Sequence, residues 1–223
     1  MGLLSPRLMG VLGLISPCHV LADIGSDHGY LPIQAVEDKH CQRAIAADIN
    51  KGPVASANKN IAAAGLSSYI ETRLGSGLTP ILLEEIDAVA ICGMGGMLIG
   101  HIILEDIEKA RRAKQLILQP QHDIDALRRL LHAHGFLITQ EVLVQEKARF
   151  YVILKAHYTG HVPPWTNQEY FLGKHLQETL APQNDPVFLA YKAHQREKIN
   201  RYVHLVNNPQ EKKQLQQKLD WLR

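Results

Sequence analysis

Residues 20–32 read VLADIGSDHGYLP and decide the fold. A short apolar run ends in Asp23-Ile24-Gly25, three small or polar residues follow, and a second glycine stands at position 29. The pattern describes a strand that stops at a glycine-rich turn, where backbone passes close to a ligand. Its Gly-x-x-x-Gly spacing differs from the Gly-x-Gly-x-x-Gly expected of a dinucleotide site.

Outward from that turn, strands and helices alternate. Ser5-Pro6 starts a helix, a capping hydroxyl followed by proline, and Leu8, Val11, Leu12 and Ile15 recur at helical spacing until Ser16-Pro17. Further strands are expected over 44–49, 70–74, 88–92 and 115–118, with helices over 31–39, 53–64, near 80–85 and over 97–110. Asp123 is the expected cap of a last helix that reaches His134 and stops at Gly135. Residues 137–145 and 149–157 read as a strand pair. The alternation predicts an α/β fold: a parallel sheet with right-handed crossovers and an antiparallel edge.

Beyond residue 158 the texture changes. Pro163-Pro164 marks a linker, and no strand signal follows. Phe188, Tyr191, Ile199, Tyr202 and Val206 step along one helical face with Gln195 in the gap, Asn207-Asn208-Pro209 is a turn, and Leu215, Leu219 and Leu222 form a second stripe. The expected organisation is a domain over 1–158 and an α-helical, coiled-coil-like extension over 159–223. The stripe is too short to specify an oligomer, and a monomer is expected.

Composition narrows the function. A chain of 223 residues, 46% hydrophobic, has room for one full domain and a small appendage. The formal charge is +2, but residues 1–157 carry net −1 and residues 158–223 carry net +3, with His161, His175, His194 and His204 besides. Such a tail either meets an anion or presents a solvated helix surface. Three scattered cysteines, Cys18, Cys41 and Cys92, make neither a zinc site nor a disulfide framework, so a reduced, cytoplasmic protein is expected. The apolar start lacks a basic leader and is interrupted by Pro6 and Arg7, and no run approaches the roughly 20 apolar residues of a membrane span.

Ligands of open α/β sheets bind beyond the carboxyl ends of the strands. Five such ends carry unusual residues: Asp23-Ile24-Gly25, Asp48, Gly75-Ser76-Gly77, Gly93-Met94-Gly95-Gly96 and Gln119-Pro120. All five fall on one predicted edge. His122-Asp123-x-Asp125 reads as helix capping, and no metal is expected.

The turn resembles the first motif of S-adenosylmethionine-dependent methyltransferases, acid-x-Gly-x-x-x-Gly. That resemblance implies that Gly25, Ser26 and Gly29 adjoin the methionine part of the cofactor, beside an acid, Asp23, suited to its cationic groups. Asp48 then takes both ribose hydroxyls, its plain alternative being a helix cap. Gly75, Ser76 and Gly77 lie at the adenine, with Leu78 or a neighbour packing on the ring. Gly93 and Met94 fall on the acceptor side, where amino-nitrogen methyltransferases place an Asn/Asp-Pro-Pro-aromatic tetrad. Glycines in its stead suit a ring nitrogen, which needs aim more than proton abstraction.

Asp-Ile-Gly-Ser-Asp-His-x-Tyr-Leu-Pro (23–32), Gly93-Met94-Gly95-Gly96, Leu118-Gln119-Pro120 and the helical tail together resemble the bacterial tRNA (adenine-22, N1) methyltransferase family, TrmK. The family usually has Gly-Asp-Gly where this chain has Gly75-Ser76-Gly77. The resemblance implies a Rossmann-like domain, S-adenosylmethionine as donor and a tail that helps hold tRNA. Within it Asp27 steadies charge on the adenine, Tyr30 stacks on an extruded base and His28 is a structural hydrogen-bonder. Arg128, Arg129, Lys192, Arg196, Lys198 and Arg201 are candidate phosphate contacts. Trp165 and Trp221 are expected to pack. Two other readings stay open from the residues: the same fold acting on a small molecule or protein, and a non-catalytic RNA-binding module.

Overall fold

The structure, a computed structural model, describes residues 4–223; the first three, where the expected first domain begins, lie outside the described residues. Contacts divide the chain into two units between Pro163 and Pro164.

The first unit is built on β1 (Cys18–Ile24), β2 (Cys41–Asp48), β3 (Ile70–Leu74), β4 (Ala88–Met94), β5 (Gln115–Pro120), β6 (Phe136–Glu146) and β7 (Arg149–Tyr158), in the order β3-β2-β1-β4-β5-β7-β6. The first five are parallel, and β7 joins β5 and β6 antiparallel. Ala88-Val89-Ala90-Ile91 and Leu116-Ile117-Leu118 are fully buried, because a parallel strand covered on both faces must be apolar throughout. The cover comes from α1 (Pro6–Leu14), α2 (Tyr30–Glu37), α3 (Lys51–Ala63), α4 (Gly96–Glu105), α5 (Ile107–Arg112) and α6 (Ile124–Ala133).

Helix α1 starts as its sequence predicts, with Ser5 Oγ accepting from Leu8 N at 3.4 Å and Pro6 in the first turn. It lies tight on the β6–β7 hairpin. A Cβ on Gly10 would come 2.6 Å from Val144 Cγ2 and 2.7 Å from Ile153 Cδ1, so only glycine permits this approach. The buried amide of Gln115 fixes the chain beyond the helix, bonding Ser16 N at 3.0 Å and Ser16 O at 2.8 Å.

Several expectations need correction. The single helix over 97–110 is two, broken where Asp106 leaves helical geometry and pairs with Lys109 at 2.7 Å. The segment near 80–85 holds only a 3₁₀ turn at Leu83–Glu85, whose Glu85 is engaged by Arg73. Asp123 precedes α6 in a left-handed conformation and turns its carboxylate to His122 Nδ1 at 2.7 Å, so it does not cap. Arg128 is no surface phosphate contact. It is fully buried, and its Nε donates to Glu141 Oε1 at 2.7 Å, joining α6 to β6. Adjacent helical residues point about 100° apart, so of Arg128 and Arg129 only the second reaches solvent.

The second unit contains α7 (Asn167–Leu172), α8 (Lys174–Leu180), α9 (Pro186–Val203) and α10 (Pro209–Trp221), twice the expected number of helices. Thr166 and Glu169 form a reciprocal capping box on α7. Asp185 caps α9 and Asn208 caps α10, each followed by proline. Leu172, Ile199 and Leu222 form a small core with Phe171, Leu215, Leu219 and Trp221, so the helical hairpin closes on α7. On α9 the buried face carries Val203 where Tyr202, 52% exposed, was expected. Trp165 packs against Tyr170 and His175. No helix among the described residues is long and apolar enough to cross a membrane.

Replacing Arg128 by Met strands the Glu141 charge in the interior and should destabilise the protein by about 3–5 kcal/mol. The double variant Arg128→Met, Glu141→Leu should recover most of that loss in urea titrations.

Candidate active site

Strand order reverses between β1 and β4, and the cavity at that point gathers seven of the twelve predicted catalytic and cofactor residues. Its volume is about 320 Å³, and its walls include Arg7, Asp23, Gly25, Ser26, Asp27, Gly29, Tyr30, Cys92 and Gly93. The amides of Gly25 and Ser26 both donate to Ala47 O, at 2.8 and 3.0 Å, which pins the turn to β2. Gly25 and Gly29 sit at φ 78° and 69°, left-handed values that L-residues with a Cβ resist. A Cβ at Gly25 would also meet Met94 Cε at 2.2 Å, so the Met94 side chain lies directly against the turn.

Asp23 is the electrostatic centre. Burial raises its carboxyl from the usual range to about 6, with the Ser26 hydroxyl and Arg7 drawing it back only in part. Ser26 Oγ is itself buried without a hydrogen-bond partner of good geometry. Burial, reinforced by the Asp23 charge, pushes the Cys92 thiol far up, so Cys92 stays protonated.

The outer wall is polar and open. Asp27 stands 3.2 Å from His28 Nε2, and the two side chains are 64% and 49% exposed. His28 Nδ1 meets Ser56 Oγ at 2.8 Å, and its carbonyl accepts from Asn60 Nδ2 at 2.9 Å, so α3 holds the loop. Tyr30 is 47% exposed and stacks on His28 with ring centroids 5.3 Å apart.

Two predicted groups lie outside this cavity. Asp48 ends β2, and its Oδ1 accepts from Asn50 N at 2.8 Å. Gly75, Ser76 and Gly77 follow β3 one strand further out, with Gly75 N donating to Asp48 O at 3.0 Å. Leu78 is buried in the core and offers no surface to a ring, whereas Ile49 and Leu74 are exposed there. The tail cations do not form one patch. On α9, Lys192 and Arg196 donate to the carbonyls of Arg223 and Leu222, whereas Arg201 pairs with Glu197 and Lys198 is exposed. Arg129 is exposed on α6.

Arg7 and Gln119 complete the site: Gln119 stands at a strand end the sequence had marked without giving it a role, and no local motif pointed to Arg7. Arg7 Nη1 donates to Gln119 Oε1 at 2.7 Å, the same oxygen accepts from Gly93 N at 3.1 Å, and the guanidinium lies 5.8 Å over the Tyr151 ring. The only sequence signal was a basic residue in an otherwise apolar N-terminal helix. Among the described residues no three His, Cys, Asp or Glu side chains converge as metal donors.

The family model described as TrmK, tRNA (adenine(22)-N(1))-methyltransferase, matches residues 21–223. A Bacillus subtilis tRNA (adenine(22)-N(1))-methyltransferase is 37% identical over 186 residues, 83% of this chain and 78% of that relative. The crystal structure of Streptococcus pneumoniae Sp1610 in complex with S-adenosyl-L-methionine is 33% identical, with TM-score 0.88 over 99% of this chain and 98% of that one. A TrmK from M. capricolum, in complex with S-adenosyl-homocysteine, is 27% identical, with TM-score 0.83 over 100% of this chain and 97% of that one.

The raised Asp23 carboxyl makes a stability prediction for the ligand-free protein. Between the unfolded value near 3.8 and the folded value of about 6, the folded state binds more protons, so stability falls as pH rises through that window. In urea titrations at several pH values, Asp23→Asn should lack this component, and its stability relative to the parent should rise from pH 4 to pH 7.

Proposed function

Because the chain belongs to the TrmK family of tRNA (adenine(22)-N(1))-methyltransferases, its reaction is methyl transfer from S-adenosylmethionine to N1 of adenine 22 in tRNA, and we propose how its own residues carry that reaction out. The observation that carries the assignment is the cavity at the strand-order reversal, where a desolvated Asp23 carboxylate, a buried Ser26 hydroxyl without a well-aligned partner and two left-handed glycines face the same space. That donor set fits an amino-acid sulfonium nucleoside. Bound there, the cofactor supplies an electrophilic methyl group.

Asp23 receives the cofactor's ammonium, which relieves an acid that Arg7 compensates only in part. The buried Ser26 hydroxyl, poorly aligned on Asp23, gains a well-directed hydrogen bond. Asp48 has one carboxylate oxygen on Asn50 N and keeps its remaining lone pairs for the ribose hydroxyls. Gly75, Ser76 and Gly77 border the adenine, with exposed Ile49 and Leu74 as its apolar neighbours.

On the acceptor side, Tyr30 offers a half-exposed ring for an extruded adenine. N1 attacks with its own lone pair, so no general base is required; orientation and charge are the needs. Asp27, anionic and adjacent, steadies the cationic ring of the product. Gly93 leaves that wall low, and Met94 gives an apolar surface beside Gly25 from which water is displaced. The exposed cations Arg129, Lys198 and Arg201 are proposed phosphate contacts, and the site of action is the cytoplasm, where tRNA is.

Incubation of unmodified tRNA with protein and S-adenosylmethionine should give 1-methyladenosine by nucleoside mass spectrometry, and primer extension should stop at position 22. Asp48→Ala should weaken S-adenosylhomocysteine binding at least tenfold with little change in thermal unfolding. A tRNA left unmethylated by the parent protein would refute the assignment.

A further inference from the structure

Resting on the S-adenosylmethionine reading above, we propose that Arg7 anchors the α-carboxylate at the amino-acid end of the cofactor. The cavity holds two charged groups of opposite sign at its inner walls, Asp23 and Arg7. They interact through space, yet among the described residues no carboxylate lies within ion-pair distance of the Arg7 guanidinium. An amino-acid zwitterion carries both complementary charges on a single carbon. A ligand presenting its ammonium to Asp23 therefore sends its carboxylate toward Arg7.

The guanidinium is held ready for that role. Its Nη1 is fixed on Gln119 Oε1, and its face rests over Tyr151. Its Nε and Nη2 hydrogens have no partner among the described residues. Arginine presents donors in a rigid fork that matches a carboxylate, so one fixed nitrogen orients the rest. The helix carrying Arg7 is fixed as well, by the approach of Gly10 to the β6–β7 hairpin and by the Arg7 amide, which donates to Glu146 Oε2 at 3.3 Å. Gln119 also holds the amide of Gly93, so the carboxylate anchor and the acceptor-side loop share one buried side chain. Arg7 is thus a cofactor-binding residue supplied by a helix outside the glycine turn.

The test is isothermal titration of the full chain with S-adenosylhomocysteine and with 5′-methylthioadenosine, which lacks the amino-acid end. Arg7→Met should lower affinity for the first at least tenfold and leave the second within about twofold. Arg7→Lys should give a smaller loss, again confined to the first; its value stands in should Arg7→Met fail to fold. Equal losses for both ligands would mark a structural role and overturn the proposal. Unchanged affinity for S-adenosylhomocysteine with a raised KM for tRNA would overturn it in favour of a phosphate contact. A parent protein that binds neither ligand would overturn the cofactor reading itself, and the proposal with it.

Discussion

A carboxylate held out of water at the end of β1, the middle one of the five parallel strands, is the constraint around which this structure is arranged. Asp23 ends an apolar run that must be buried on both faces, so its side chain emerges where solvent is scarce and its carboxyl is raised to about 6. An acid in that position needs a cation. Ser26 and Arg7 supply only partial compensation, and the turn after it is built from glycines that keep the approach open. On the proposed assignment, the cationic amino-acid end of the cofactor would supply the charge that this acid is short of.

The rest of the first unit serves that placement. Parallel pairing of β1 with both β2 and β4 puts Asp23 at the reversal of strand order, with Asp48 one strand to one side and Gly93 one strand to the other. Helix α1 brings a guanidinium to the same space, and α3 ties down His28 through Ser56 and Asn60. The side of the cavity around Asp23 is therefore charged and buried, whereas Asp27 and Tyr30 stand open. That division suits a cofactor that must be gripped and a nucleobase that must enter from a large RNA.

The sheet was readable because fully buried parallel strands cannot disguise themselves: Ala88-Val89-Ala90-Ile91 and Leu116-Ile117-Leu118 have one plausible environment. The strand ends were readable for a related reason, since glycines and acids interrupt such runs only where something is to be met. Gln119 was legible as a marked strand end but its role was not, and Arg7 was not legible at all, because the two stand 112 residues apart and only the packing of α1 on the hairpin brings them together. Arg128 misled in the opposite sense: its Glu141 partner is on another element, so local sequence gave a buried ion pair the look of a basic surface. The missed helix α7 is different, for Thr166-x-x-Glu169 is a legible capping box that a search for apolar stripes passes over.

Proton release on ligand binding tests the central role of Asp23 most directly. Titration of S-adenosylhomocysteine at about pH 5.5, in two buffers of different ionisation enthalpy, should show a sizeable fraction of a proton leaving the protein, and Asp23→Asn should release none. Binding by the parent protein without proton release, or equal release from the variant, would contradict the account.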